Sequence, residues 1–499
     1  MFQMIQLLQE YLQKLFRKGL KMTNSIKKNY IYNSVYQLLI MIVPLITTPY
    51  VSRVIGPKGL GIYSYYFSIS QYFTLFIMLG LNNYGNRTIA KVKDNMLKLS
   101  ETFWSIYFLQ IILGIFVLVI YFVYLRFLSS NKMVSLIMSI YVFSACIDVN
   151  WFLFGMEEFR ITTIRNILIK AFTTILIFVI IKQYNDIYKY CFILVIGTTL
   201  AQLVVWPYVI KKCGFYLPTV KEILVHAIPN AKLFLTVIAV SIYSLMDKIM
   251  LGYMTGPKEV GYYESALKII SVPTSLVSSL GVVMLPRISN LKNKDIDTKN
   301  MMFKSILFSA FISTSISFGI MSISKQFVPF FYGPGYDTCI TIFLILLPSC
   351  IFFSFGNVIR TQYLLPNEMD SIYIKSAFIG AAVNLVFNSI LIPKLYSVGA
   401  AIGSLIAEVV VCIYQSYKIR DMIEIRKYFI SYLPFVTSGL LMFLIVYNIK
   451  IDIQSNLLNM IASIIIGAIS YLVLLIGLMF YLTKHKNISI IKTVIKNKD

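Results

Sequence analysis

Apolar runs of about twenty residues recur along the whole chain and alternate with short polar stretches. A run of this length crosses about 30 Å of hydrocarbon as one α-helix. The pattern predicts an all-α polytopic membrane protein with fourteen spans, grouped as six, six and two. Their approximate bounds are 30–55, 62–81, 104–127, 133–154, 167–181 and 190–210, then 227–254, 262–285, 303–323, 340–358, 374–391 and 399–417, and finally 429–447 and 457–482.

These spans predict a division of the chain into five parts. They are a cytoplasmic N-terminal amphipathic segment (1–29), an N-terminal six-helix bundle (30–210), a cytoplasmic connector (211–226), a C-terminal six-helix bundle (227–417), and two extra helices with a basic cytoplasmic tail (418–499). Residues 4–18 have the pattern of a basic helix lying on the inner leaflet. Translation starting at Met22 is the open alternative.

One stretch is used twice, at a constant offset. Gly56-Pro57-Lys58-Gly59-Leu60-Gly61-Ile62-Tyr63 is repeated as Gly256-Pro257-Lys258-Glu259-Val260-Gly261-Tyr262-Tyr263. The same offset also superposes Ile69 on Ile269 and Arg87 on Arg287, with no gap. A repeat in the same sense, separated by many spans, is typical of transporters built from two parallel bundles. We therefore predict two pseudo-symmetric halves.

Composition excludes a soluble protein, because 58% of the residues are hydrophobic, 13% are charged and the mean hydropathy is +0.76. The net charge of +24 would suggest nucleic acid in a soluble chain. Here the basic residues gather in alternate polar stretches, as the positive-inside rule requires, so no nucleic acid is expected. Both termini are predicted to be cytoplasmic, which requires an even number of spans.

No motif for catalysis or metal binding occurs in the sequence. The chain lacks GxxxxGK[ST], HExxH and GxSxG, and the predicted outer loops are short. The six cysteines lie singly, mostly within apolar runs, and His226 and His485 have no acidic or cysteine partner at ligand spacing. We expect neither an enzyme nor a metal site.

The ionisable residues within the spans are the remaining candidates for a functional site. A charge in hydrocarbon costs at least about 2.5 to 3.5 kcal/mol, so it normally faces a partner or a wet cavity. The candidates for a substrate cavity are Arg53, Asp247, Lys248, Glu264, Lys268 and Arg360, while Asp148, Lys232 and Glu408 are further intramembrane charges. The excess of cations would suit an anionic substrate such as a pyrophosphate.

Purely structural interpretations compete with this one. Glu264 could pair with Lys268, four residues along the same helix, and Asp247 could pair with a neighbouring base. Arg53 could be a snorkelling residue at the outer interface. Asn82, Arg87 and Arg287 lie at the inner ends of spans 2 and 8, where they could form a gate or simply anchor the helices by the positive-inside rule.

Several segments resemble the Wzx/RfbX-type polysaccharide flippases. The most specific is Pro44-Leu45-Ile46-Thr47-Thr48-Pro49-Tyr50-Val51-Ser52-Arg53-Val54-Ile55-Gly56 with Gly59-Leu60-Gly61-Ile62-Tyr63-Ser64; the others are Leu81-Asn82-Asn83-Tyr84-Gly85-Asn86-Arg87, Asp148-Val149-Asn150-Trp151-Phe152 and Asp247-Lys248-Ile249-Met250-Leu251-Gly252. The likeness covers nearly the whole chain. It implies the superfamily that also holds multidrug and toxin extruders and lipid II flippases.

This resemblance implies a V-shaped pair of six-helix bundles around a cationic cavity, working by alternating access in the bacterial cytoplasmic membrane. The implied substrate is an undecaprenyl-diphosphate-linked oligosaccharide repeat unit or a teichoic acid precursor. An H⁺ or Na⁺ gradient would drive the transport, with no other cofactor. The implied partners are membrane lipid and, in the same pathway, a polysaccharide polymerase and glycosyltransferases. The cavity role carries over to Arg53, Asp247 and Lys248, whereas Lys268 rests on the charge argument alone.

Two other functions stay open at this stage. A drug or cation antiporter would share the fold, but its substrates are typically cationic and favour an acid-rich cavity. A membrane-embedded polysaccharide polymerase or ligase would act on the same lipid, but the short outer loops disfavour it.

Overall fold

The structure is a computed structural model that describes residues 24–292, 298–449 and 455–484, and all regular elements in these ranges are helical. The predicted amphipathic helix over residues 4–18 and most of the basic tail lie outside the described residues. The helices are α1 (Asn24–Met78), α2 (Leu81–Val92), α3 (Met96–Phe127), α4 (Lys132–Cys146), α5 (Asn150–Gly155), α6 (Phe159–Ile180), α7 (Ile187–Leu203), α8 (Trp206–Lys212), α9 (Val220–Thr255), α10 (Pro257–Lys292), α11 (Lys299–Tyr332), α12 (Thr338–Leu346), α13 (Ser349–Ile359), α14 (Asp370–Lys418), α15 (Ile425–Asn448) and α16 (Asn456–Lys484).

Two of the helices are too long to be single spans. At 1.5 Å per residue, the 55 residues of α1 would reach about 80 Å, more than twice the hydrocarbon thickness. α1 breaks at Gly56, where φ is 67° and ψ is 179°, and α14 breaks at Tyr396, where φ is 54° and ψ is −131°. Each of these helices therefore holds two of the predicted spans, joined by a sharp bend.

The predicted span 4 is a broken helix, made of α4 and α5. Side chains from other helices satisfy the backbone where it is interrupted: the Gln110 amide donates to the Ala145 carbonyl at 2.6 Å and the Asp148 carbonyl at 2.9 Å, and the Trp206 indole donates to the Ile147 carbonyl at 3.0 Å. Non-helical backbone at membrane depth is stable only when its polar groups are satisfied in this way.

α9 begins at Val220, within the predicted connector (211–226). A capping box fixes this start: the Thr219 hydroxyl accepts from the Glu222 N–H, and the Glu222 carboxylate accepts from the Thr219 N–H at 2.7 Å. The Thr219 N–H also lowers the pKa of the Glu222 carboxyl below its usual value.

The fold is confirmed as an all-helical, multi-pass membrane fold. Among the described residues, ten helical segments are long and apolar enough to span a membrane, with α14 counted once. The total of fourteen spans and the bounds of the bundles stay predictions. The two halves meet where α1 packs along α10. Within the C-terminal part of the chain, α9 packs against α14, and α11 packs against α15. We name the two sides of the protein from the sequence: the predicted outer side carries Gly56 and Gly256, and the predicted inner side is opposite.

Candidate functional site

The repeated stretch forms the contact between the halves at the predicted outer side. A Cβ added to Gly61 would lie 1.6 Å from the Pro257 carbonyl oxygen, and one added to Gly261 would lie 1.8 Å from the Pro57 carbonyl oxygen. The two contacts are equivalent under the repeat, so α1 and α10 cross about a pseudo-two-fold axis. We call this contact the glycine crossing. It requires glycine at both positions, because any side chain would collide with backbone.

Arg53 joins the same side to the last turn of α11. Its guanidinium donates to the Pro49 carbonyl at 2.9 Å and to the Phe330 carbonyl at 2.5 Å, and the neighbouring Ser52 hydroxyl donates to the Tyr332 carbonyl at 2.9 Å. The structure therefore gives Arg53, a predicted cavity residue, carbonyl partners at the predicted outer side. It does not bring Arg53 into contact with the other basic candidates.

Arg53→Ala is expected to destabilise the protein by about 1 kcal/mol, since the variant loses a charge-assisted hydrogen bond between α1 and α11. The thermal unfolding midpoint of each purified variant measures the effect. Lys58→Ala is the matched control, because Lys58 is also exposed and lies just beyond the bend at Gly56. Equal midpoints for the two variants would show that the Arg53 contact does not stabilise the outer side.

Different residues bring the halves together at the predicted inner side. The Tyr84 hydroxyl of α2 lies 2.6 Å from Nδ1 of His226 on α9, and a Cβ added to Gly80 would lie 2.7 Å from the Asn230 carbonyl oxygen. The predicted gate residues are nearby in sequence, but Asn82 and Arg87 are exposed and Arg287 is half-buried. A gate role for these three residues stays a prediction.

A cluster of basic side chains lies between the two closed sides. The Lys248 ammonium of α9 forms an ion pair with the Glu264 carboxylate of α10 at 3.2 Å. Lys268, one turn further along α10, lies within electrostatic range of Glu264, Lys248 and Lys170 of α6. We call Lys170, Lys248, Glu264 and Lys268 the basic cluster. It contains three lysines and one carboxylate, so it carries a surplus of positive charge.

The cluster differs from the sequence interpretation in its pairing and in its members. Glu264 makes its ion pair with Lys248 across two helices, not with Lys268 along one helix. Lys170 comes from the first half and was not among the predicted residues. The signal for it was available, because Lys170 is the one ionisable residue in the apolar stretch 167–181.

Asp247 does not pair with a base as the structural interpretation proposed. Its carboxylate accepts hydrogen bonds of 2.6 Å from the Tyr263 hydroxyl, the Asn388 amide and the Ser404 hydroxyl. Asp247 is only 5% exposed. It is therefore a buried anion held by neutral donors from α10 and α14.

Arg360 lies apart from the basic cluster, at the start of a π-helical turn (Arg360–Leu364). Its guanidinium donates to the Asn357 side chain and sits over the Phe353 and Tyr373 rings, 5.9 and 5.4 Å from their centroids. The surrounding contacts are aromatic and amide groups, so the described structure does not link Arg360 to the cluster.

Two halves that close on both sides around a basic cluster define a multi-pass membrane protein with the architecture of a transporter. Residues 26–292 match the sequence profile described as "Polysaccharide biosynthesis protein". That match covers more than half of the chain, and the chain belongs to this family.

Named relatives and solved structures agree with this assignment. A protein named as an O-antigen transporter in Escherichia coli (strain K12) is 27% identical over 403 residues, covering 78% of this chain and 95% of that protein. Another, from Shigella dysenteriae, is 22% identical over 378 residues, covering 74% and 94%. Both relatives are named as transporters and not as enzymes, in agreement with the sequence analysis.

Solved structures of transporters share the fold of this chain. The structure of the lipid II flippase MurJ in an inward closed conformation superposes with a TM-score of 0.66 at 15% identity, covering 91% of this chain and 98% of that one. An inward-facing multidrug resistance MATE transporter gives 0.59 at 15% identity, covering 79% and 98%. The all-helical, MATE-like fold expected from the sequence resemblance is confirmed.

Proposed function

We propose that the protein is a flippase that moves undecaprenyl-diphosphate-linked oligosaccharide repeat units across the bacterial cytoplasmic membrane, with both termini in the cytoplasm. The observation that carries this proposal is the basic cluster between the halves. Membership of the polysaccharide biosynthesis family and the names of the two bacterial relatives support the same class of substrate.

The charges of the cluster suit a diphosphate diester. Glu264 neutralises one of the three lysines, through the 3.2 Å ion pair to Lys248. The remaining two positive charges, on Lys170 and Lys268, match the two negative charges of the diphosphate. Because the two lysines come from different halves, an anion between them attracts both halves. Lysine ammoniums away from bulk water form strong charge-assisted hydrogen bonds with phosphate oxygens.

Alternating access would require the two closures to open in turn. The glycine crossing and Arg53 hold the predicted outer side, whereas Tyr84 and His226 hold the predicted inner side. No residue takes part in both sets of contacts. Opening one set of contacts while the other stays closed would expose the basic cluster to one side of the membrane only. Alternating access requires this, because a site open to both sides at once would let solutes leak through.

Asp247 is our candidate for the site of the coupling ion, either H⁺ or Na⁺. The buried carboxylate is surrounded by hydroxyl and amide groups, and Oδ1 of Asn388 has no hydrogen-bond partner among the described residues. Oxygen donors of this kind suit a hard cation. The other candidate ion, H⁺, would likewise need an acidic side chain such as this carboxylate.

A drug or cation antiporter is the second candidate, and the similarity to the MATE transporter fold favours it. Its substrates are typically cations, which the surplus lysines of the basic cluster would repel. The flippase proposal therefore fits the charge of the site better. A glycan polymerase and glycosyltransferases are the partners expected in the same pathway.

Lys268→Ala is expected to reduce glycan export at least tenfold, because the diphosphate loses a direct cationic partner at a desolvated site. Surface polysaccharide in cells lacking their own copy of the gene measures export, normalised to the amount of protein in the membrane. Lys268→Arg should retain most of the activity. Lys394→Ala is the control, since Lys394 is exposed on α14. Wild-type export by Lys268→Ala would remove the cluster from the site.

A further inference from the structure

The N-terminal half contains a cavity of about 300 Å³ whose lining includes none of the residues of the basic cluster. It is enclosed by the second part of α1, by α2, α4 and α7, and by Val237 of α9. The polar groups that line it are Thr74, Asn82, Tyr141, Ser144, Asp148, Thr198 and Gln202. No lysine or arginine lines it, so the cavity differs in chemistry from the basic cluster.

The cavity is close to electrically neutral. Its one carboxylate, Asp148, accepts from the Asn150 N–H at 2.9 Å and lies within electrostatic range of Arg165. Arg165 also donates to the Asn150 side chain at 2.9 Å, and Asn150 donates to the Gln202 carbonyl oxygen at 3.2 Å. The amide nitrogen of Gln202 is thereby left to donate to a ligand. Hydroxyl and amide groups in a neutral cavity recognise uncharged polyhydroxyl compounds.

A line of aromatic rings connects the cavity to the basic cluster. Tyr141 of the cavity lies 4.9 Å from Phe67, ring centroid to centroid, and Phe67 stacks on Tyr63 at 5.3 Å. Tyr63 follows Gly61, whose contact with Pro257 and Gly261 brings this end of the helix to the part of α10 that carries Glu264. Aromatic faces provide apolar surfaces on which sugar rings stack.

These residues follow one face of a single helix. Tyr63, Phe67, Gln71 and Thr74 recur at intervals of three and four residues along α1, and Thr74 lines the cavity together with Tyr141. Eleven residues of helix cover about 16 Å. The face therefore leads from the basic cluster to the cavity over a distance that suits a short oligosaccharide.

We propose that the cavity is a subsite for the uncharged sugars of the substrate, which extend along this face from a diphosphate held by the basic cluster. This proposal rests on the proposed function, because it takes the position of the diphosphate from it. It adds a second point of recognition, on the glycan itself, with neutral sugar hydroxyls and acetamido groups as the chemical class that binds.

The test compares the affinity of the full-length protein in lipid nanodiscs for four probes. One probe is undecaprenyl diphosphate without sugar, and the others carry a neutral trisaccharide of glucose, galactose or N-acetylglucosamine, which is long enough to reach the cavity from the basic cluster. The wild type should bind at least one sugar-bearing lipid about tenfold more tightly than the sugar-free lipid. Gln202→Leu and Thr198→Val should each reduce this affinity ratio by a factor of about five, since each removes a hydrogen bond to the sugar.

Thr199→Val is the matched control for Thr198→Val. Both hydroxyls donate to the Val195 carbonyl, at 2.7 and 3.0 Å, but Thr198 lines the cavity and Thr199 is buried elsewhere. Thr199→Val should therefore keep the whole difference between the lipids. Thermal unfolding of each variant identifies those that do not fold, and only folded variants are compared.

The two proposals fail in different ways in this experiment. If the wild type binds all four lipids equally, or if Gln202→Leu and Thr198→Val keep the full difference, the sugar subsite is wrong. Lys268→Ala should weaken binding of all four lipids by one common factor and keep the difference between them. If it binds undecaprenyl diphosphate like the wild type, the proposed function is wrong at the basic cluster. If the wild type binds no probe, both proposals fail.

Discussion

Gly261→Ala is expected to abolish most of the transport activity and to destabilise the protein by about 3 kcal/mol, the upper end of the usual cost of overpacking. The added methyl would lie 1.8 Å from the Pro57 carbonyl oxygen. Backbone cannot rotate away as a side chain can, so α1 and α10 must separate, and the glycine crossing opens. Glycan export and the thermal unfolding midpoint should both fall.

Gly319→Ala is the matched control for this variant. Gly319 lies within α11, and a Cβ there would meet no atom within 4 Å. Alanine is favoured over glycine in a helix by about 1 kcal/mol, so this control should be slightly more stable than the wild type and equally active. Gly61→Ala should reproduce the loss seen with Gly261→Ala, because the repeat makes the two positions equivalent. If both variants transport normally, the halves do not depend on the crossing.

Asp247→Leu is expected to have the second largest effect, a loss of stability of about 3 kcal/mol together with loss of transport. Three donors that now share the carboxylate, on Tyr263, Asn388 and Ser404, would be buried without their acceptor. Each unsatisfied buried group costs about 1 to 3 kcal/mol, and rearrangement recovers part of this. Denaturant or thermal unfolding in detergent measures the change.

Asp247→Asn separates the structural role of this residue from the proposed role in ion coupling. The amide keeps one acceptor oxygen and nearly the same volume, so the variant should unfold close to the wild-type midpoint. It removes the charge, so export should stop responding to the H⁺ or Na⁺ gradient and fall at least tenfold. Gradient-dependent export by Asp247→Asn would exclude Asp247 as the ion site.

The sequence was sufficient to predict the architecture because each membrane helix is encoded by a local apolar run. Each apolar run is long enough to span, and the offset between Gly56 and Gly256 relates the two halves before any coordinates are known. The bend at Gly56 also follows from local chemistry, since its positive φ is open to glycine. What the offset could not provide was the reciprocal contact of Gly61 with Pro257 and of Gly261 with Pro57, because that depends on how the halves dock.

The site residues were predicted less well, for the same reason. The spacing of Glu264 and Lys268 favours a pair within one helix, but antiparallel packing of α9 and α10 brings Lys248 closer to the carboxylate. Arg53 binds a carbonyl 277 residues away in the chain, which no local pattern reports. Lys170 belongs to no motif, and only its electrostatic interaction with Lys268 gives it a role.

The electrostatic interaction between Lys170 and Lys268 also affects what the carrier does when it is empty. Two ammonium groups from different halves repel each other when the halves come together, and this repulsion is strong at low dielectric. A bound anion reverses the sign of that force, so cargo shifts the equilibrium towards the occluded form. An unloaded protein should therefore cycle slowly, and the ion gradient would be spared from futile dissipation.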